Sequence, residues 1–173
     1  NISILEVGAN SKAFRHFLTF LNIKTLIITD IDTTVAENDP KTKKTSYKAV
    51  KVKDGTHTSN YSLKYFLESP DIKETKDYAT WLKRIKENSI QSDDITIKLA
   101  YQTEENQYHG RTFEDAFISA NFELLKLNKE SISGLKNKTN LDKPTSDYYE
   151  LTKEILDNKS AFASSLLWLS LTK

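Results

Sequence analysis

The chain has 173 residues, 25 Lys and Arg against 24 Asp and Glu, a formal net charge of +1 and no cysteine. This length suits one domain with its own core. The charge balance excludes a global case for binding nucleic acid or membrane surfaces, so any such case must be local. Without cysteine there are no disulfides or thiolate metal sites, which fits a cytosolic, cytoplasmic protein. No apolar run approaches the ~18 residues of a membrane-spanning helix, and no signal-like segment opens the chain.

The sequence starts at Asn1 without Met and enters an apolar run at once, so it is read as a piece of a longer protein. "ISILEV" (2–7) and "KTLIIT" (24–29) are short, apolar and β-branched, the pattern of strands buried on both faces of a parallel sheet. Between them Phe14, Phe17, Leu18 and Leu21 fall on one helical face, with Asn10 or Ser11 as its cap. Strand, helix and strand together predict a βαβ unit. Residues 35–60 form a polar, lysine-rich insertion with a strand near 47–52. Helices are predicted over 60–68 and 77–88, the second with Tyr78, Trp81, Leu82 and Ile85 at helical spacing. "ITIKLAYQ" (95–102) is the next strand, and 111–128 is one long helix. A loop over 129–143 leads to a helical C-terminal segment, about 144–173, with helices near 145–157 and 159–171. The order predicts a single α/β domain over 1–173, with a mostly parallel sheet flanked by helices.

The chemistry concentrates in "LIITDIDTT" (26–34), where an apolar strand ends in Asp30 and Asp32. If extension continues, both acids share a face. Functional groups of open α/β sheets gather beyond the carboxyl ends of the strands. Paired carboxylates repel, and a divalent cation such as Mg²⁺, which favours one or two carboxylates, removes the repulsion. A plain strand end followed by a turn explains the same residues without metal. Glu114 and Asp115 follow Thr112 in the first turn of the helix over 111–128, where acids favour the helix dipole and Thr112 can cap. Lys159 opens the last helix, an unfavourable place for a cation unless it holds an anion. Thr58, Ser59 and Asn60 precede a helix and suit capping. His16, His57 and His109 show no ligand spacing, while Lys41, Lys43, Lys44, Lys48, Lys51 and Lys53 crowd one region, as a solvated face or a track for phosphates.

Two known patterns fit the acidic stretch. Asp30, Asp32 and Thr34 match D-x-D-x-T of haloacid-dehalogenase phosphatases, in which the first Asp is a nucleophile. An apolar strand ending in D-x-D also resembles the TOPRIM domain, whose acids bind Mg²⁺. The blocks "ISILEVGANSKAFRHFLTFLNIKTLIITDIDTT", "TSN" (58–60), "LAYQTEENQYHGRTFEDAFI" and "NKSAFASSLL" come in the order seen in the TOPRIM region of OLD-family ATP-dependent endonucleases. That resemblance covers most of the chain and implies a TOPRIM-like, Rossmann-like fold. It implies Asp30, Asp32 and Glu114 as ligands of Mg²⁺ or Mn²⁺, with Lys159 as the catalytic lysine. Asp115, Arg111, Thr112, Ser59 and Asn60 would support these ligands or touch DNA phosphate. Phosphodiester hydrolysis would follow a two-metal scheme, with DNA as partner, a homodimer through the full-length protein, and ATP used only by an ABC-type ATPase domain of the same polypeptide. Ala161 stands where the family usually has an acid. Glu6 lies one helix before Asp30, so "ISILEVG" resembles the family's second strand. The first strand with its glutamate is expected upstream, and the chain alone is expected to bind Mg²⁺ weakly and cut DNA poorly. The alternatives are a phosphatase using Asp30 as nucleophile and a non-catalytic module that binds DNA or protein.

Overall fold

A computed structural model describes residues 2–171. The chain folds as two compact units, Asn1–Glu104 and Glu105–Lys173, within the span expected to form one domain. The architecture is mixed α/β, as expected.

The first unit departs from expectation at its start. Residues 2–7 form no strand, and Ile2 and Ile4 are each 94% exposed. An isolated extended segment gains nothing without a ladder partner, and this one pairs with no strand among the described residues. The βαβ unit predicted there is therefore not formed. A 3-10 segment, Gly8–Phe14, follows and runs into helix α1 (Arg15–Phe20). Neither Asn10 nor Ser11 caps it; Ser11 is buried and shares a 2.6 Å hydrogen bond with Ser62. Strand β1 (Thr25–Ile28) forms where the β-branched run predicts, but only one face is covered, since Leu26 and Ile28 are exposed.

From the end of β1 the chain passes through a loop at 29–32 into an antiparallel hairpin of β2 (Thr33–Asn38) and β3 (Thr45–Ala49). The lysine-rich insertion is thus largely this hairpin, completed by β4 (His57–Thr58) in the order β3-β2-β4. The strand expected over 47–52 ends at Ala49, and Val52–Asp54 is a 3-10 turn. Gly55 lies so close to β2 that a Cβ there would sit 2.5 Å from Thr33 Cβ. Helices α2 (Tyr61–Phe66) and α3 (Thr75–Lys86) match their predictions. Tyr78, Trp81, Leu82 and Ile85 are all buried, as their spacing requires, and Trp81 Nε1 donates to Leu67 O at 2.7 Å. Strand β5 (Ile97–Ala100) pairs in parallel with β1, Ile28 opposite Ala100, so both strands end at the same edge. The core of this unit gathers Ile31, Leu63, Phe66, the α3 face, Ile97 and Leu99.

A short hairpin of β6 (Glu104–Glu105) and β7 (Tyr108–His109) turns through Asn106 and Gln107, both at positive φ. In the second unit, the helix expected over 111–128 is broken into α4 (Phe113–Ala120) and α5 (Phe122–Asn128). Asn121 leaves helical geometry at φ −120°, and its side-chain amide donates to Phe117 O at 3.0 Å. The Asn121 N–H donates to the same carbonyl at 3.0 Å, so α4 closes its last turn there and α5 starts afresh. Residues 129–143 hold two 3-10 turns, and helices α6 (Tyr148–Ile155) and α7 (Lys159–Leu171) close the chain. Ile118, Leu125, Leu141, Ile155 and Phe162 form a second core. No helix among the described residues is long and apolar enough to cross a membrane.

Candidate functional site

The acids of the first unit sit in the loop between β1 and β2. Extension does not continue past Ile28, and Asp32 has φ +49°. The expectation that Asp30 and Asp32 share a face of a continuing strand is therefore overturned. Burial of the residue between them does the work instead: Ile31 is fully buried, and both acids are half-buried. A left-handed backbone is tolerated by aspartate better than by most residues, and persists where surrounding bonds over-determine it.

Those bonds come from "TSN". Thr58 Oγ1 donates to Ile31 O at 2.6 Å, Ser59 N donates to Asp32 O at 3.0 Å, and Asn60 Nδ2 donates to Asp30 O at 2.6 Å. Asn60 Nδ2 also reaches Thr29 Oγ1 at 2.7 Å, while its Oδ1 accepts from Leu63 N at 3.0 Å as the N-cap of α2. Capping is thus real for Asn60, and the same side chain ties the helix to the acid loop. Capping does not describe the whole role of Thr58; its bond to Ile31 O is buried and spans 27 positions, which no local pattern reveals.

Gln102 is a residue that sequence reasoning missed. Its Nε2 donates to Asp30 Oδ1 at 2.6 Å, and its Oε1 accepts from Ile31 N at 2.8 Å. One amide therefore fixes a carboxylate and the adjoining backbone. The available signal was positional: in "LAYQ" a polar residue follows an apolar strand, the same pattern that singles out Asp30, and the parallel register places both beyond the same strand ends.

The second unit gathers the other candidates. Thr112 is the N-cap of α4, and Glu114 and Asp115 lie in its first turn, as predicted. Asp115 is buried and accepts from four donors: Tyr108 Oη at 2.8 Å, Arg111 N at 2.9 Å, and Thr112 N and Oγ1 at 2.7 and 2.9 Å. Its carboxylate holds the 108–112 segment against α4. Burial, then the charge and hydrogen bond of Asp115, push the Tyr108 hydroxyl far above its usual range. Glu114 forms an ion pair with Lys159 Nζ at 2.8 Å. Burial pushes the Glu114 carboxyl up, but hydrogen bonds from Lys159, its own backbone and Thr112 outweigh it and hold the group below the ordinary glutamate range. Lys159 opens α7, and Asn158 Oδ1 accepts from Ala161 N at 2.9 Å, so an asparagine one residue before the lysine caps the helix.

Half-buried carboxylates at Asp30 and Asp32 offer hard oxygen donors in the number Mg²⁺ takes, with water and phosphate oxygens completing its shell. The donor set fits one such cation. No group of three or more His, Asp or Glu side chains able to hold a metal forms among the described residues. A cleft of about 380 Å³ lined by Phe66, Trp81, Arg84 and Asp93 among others includes none of the acid-loop residues.

The acid loop, with Asp30 oriented by Gln102, thus lies beyond the ends of a parallel strand pair, where ligands of open α/β sheets bind. The chain is 27% identical over 183 aligned residues to "Endonuclease GajA" of Bacillus cereus (strain HuB5-5). The match covers 99% of this chain and 24% of that protein, so the chain spans about a quarter of its relative's length. The likeness relates this chain to a nuclease along nearly its whole length. No family model and no solved structure matches it.

Proposed function

We propose that the chain is the metal-binding part of a DNA endonuclease of the TOPRIM type, with Asp30 and Asp32 holding Mg²⁺ or Mn²⁺. In the whole protein it would work beside an ABC-type ATPase. The carrying observation is the clamp on the acid loop: "TSN" holds the carbonyls of 30, 31 and 32, and Gln102 holds the Asp30 carboxylate. A carboxylate whose orientation is fixed by an amide, two residues from a second acid, is a donor arrangement that suits a divalent cation. Likeness to an endonuclease supports DNA as the substrate.

When bound, the cation supplies Lewis-acid polarisation of a phosphodiester and activation of water. The chain's residues do the rest. Asp30 and Asp32 fix the cation's position, Gln102 fixes the orientation of Asp30, and Ser59 and Asn60 keep the loop from relaxing. The reading also assigns Glu114 as a further ligand and Lys159 as the catalytic lysine that stabilises developing phosphate charge. Here they neutralise each other, so for either to act their ion pair must open.

The test is nicking of supercoiled plasmid by the whole protein with Mg²⁺ or Mn²⁺, alongside Mn²⁺ binding followed by electron paramagnetic resonance. Asp30→Ala and Asp32→Asn are expected to abolish both while leaving the circular dichroism spectrum unchanged. Nicking that survives Asp30→Ala, or hydrolysis of a small phosphomonoester in place of DNA nicking, would overturn the reading.

A further inference from the structure

The β2–β3 hairpin begins at Thr33, immediately after Asp32. β2 is buried at its first residues and exposed at its last, and every residue of β3 is exposed. The hairpin therefore leaves the acid loop and runs into solvent, roughly 20 Å for a six-residue strand. From Glu37 to Lys48 it carries Lys41, Lys43, Lys44 and Lys48 against Glu37 and Asp39, a positive arm on a chain whose net charge is only +1. Lys48 is matched by Glu37 at 3.5 Å. Lys41, Lys43 and Lys44 at the tip have no ion-pair partner among the described residues.

The tip is built to hold those lysines out. Asp39 Oδ1 accepts from Lys41 N at 2.7 Å and Thr42 N at 3.2 Å, which engages the one acid of the turn with its own backbone. Asp39 N–Lys44 O and Lys43 N–Asp39 O bonds, at 3.0 and 2.9 Å, close the loop. Lys43 sits at φ +55°, where glycine or asparagine would be at lower energy. Protection of an edge strand explains Lys48 on β3. It does not explain three lysines on the turn, one of them held in a strained backbone.

We propose that this hairpin is a contact arm for the phosphate backbone of duplex DNA, with Lys41, Lys43 and Lys44 at its tip positioning a strand for the Asp30–Asp32 loop. The inference rests on the endonuclease reading and names the element that binds the substrate. Lysine ammonium groups are point charges suited to phosphates and carry no base code, so the contact is independent of sequence.

The experiment is fluorescence anisotropy of a labelled mixed-sequence duplex against the protein, between about 50 and 200 mM salt. The variants are Lys43→Gly and the triple Lys41→Ala/Lys43→Ala/Lys44→Ala. The triple variant is expected to bind at least about tenfold more weakly, with a salt slope shallower by about 2 to 3, because each lost phosphate contact removes about 0.9. Lys43→Gly is expected to melt no lower than the parent, since it relieves the left-handed backbone, yet to lose about one contact in the slope. Unchanged slopes in both lysine variants of a protein that still binds and nicks DNA would overturn the arm and leave the endonuclease reading standing. No duplex binding by the parent would overturn both.

Discussion

Gln102 holds one oxygen of Asp30 and the N–H of Ile31 with a single planar amide. Its removal frees a carboxylate and strips a buried loop of a donor and an acceptor. Gln102→Ala is expected to weaken Mn²⁺ binding by about 10- to 100-fold, the usual effect of losing a partner that orients a ligand, and to lower the melting temperature. Titration of the metal by calorimetry checks this, and unchanged affinity would mean that Asp30 is oriented by other contacts. Glu114 makes a pH-dependent contribution. Its folded carboxyl lies below the ordinary glutamate range, so the stability it contributes is present above that range and is lost as pH falls through the lowered value. Glu114→Gln should therefore melt lower than the parent at neutral pH, and the two should converge in acid. The gap should be modest, because Lys159 is 67% exposed and solvent screens the pair.

Among the elements, the ones legible in the sequence are those whose pattern and burial agree. Tyr78, Trp81, Leu82 and Ile85 repeat at helical spacing and all lie on the buried face of α3. The run at 2–7 has the same apolar quality but no ladder partner among the described residues, and composition cannot report a partner. The continuous helix over 111–128 failed at one residue, Asn121, whose backbone leaves helical geometry while its side chain and N–H both bond Phe117 O. At the acid loop the acids were legible, since carboxylates after an apolar run stand out. Their supports were not: Thr58 and Asn60 act on residues 27 and 30 positions away, and Gln102 on one 72 positions away. Gly55 marks where β2 and the turn before β4 nearly touch. Gly55→Ala would press a methyl onto Thr33 and is expected to cost about 1–3 kcal/mol by chemical denaturation. Because Thr33 adjoins Asp32, the same variant should also weaken cation binding.

For the molecule as a whole, the two compact units each carry their own buried core. Leu125 is fully buried in the second core, so Leu125→Ala is expected to cost about 2–5 kcal/mol there. Native-state hydrogen exchange would show amides of α4 to α7 exchanging faster while those of β1, β5 and α3 keep their protection. Loss of protection in both sets to the same extent would show that the chain opens as one cooperative unit.

The bonds from Thr58, Ser59 and Asn60 to the acid loop end on backbone carbonyls, which every residue type possesses. The hold on the loop's path is thus separate from its acids, provided that position 32 keeps a residue that accepts a left-handed backbone. A descendant of this chain could exchange both acids for asparagine in single mutational steps and keep that path, which leaves the architecture open to reuse as a silent binding partner. The same separation makes asparagine the replacement of choice for genetics: an inactive Asp30→Asn or Asp32→Asn allele should accumulate in the cell near the parent's level.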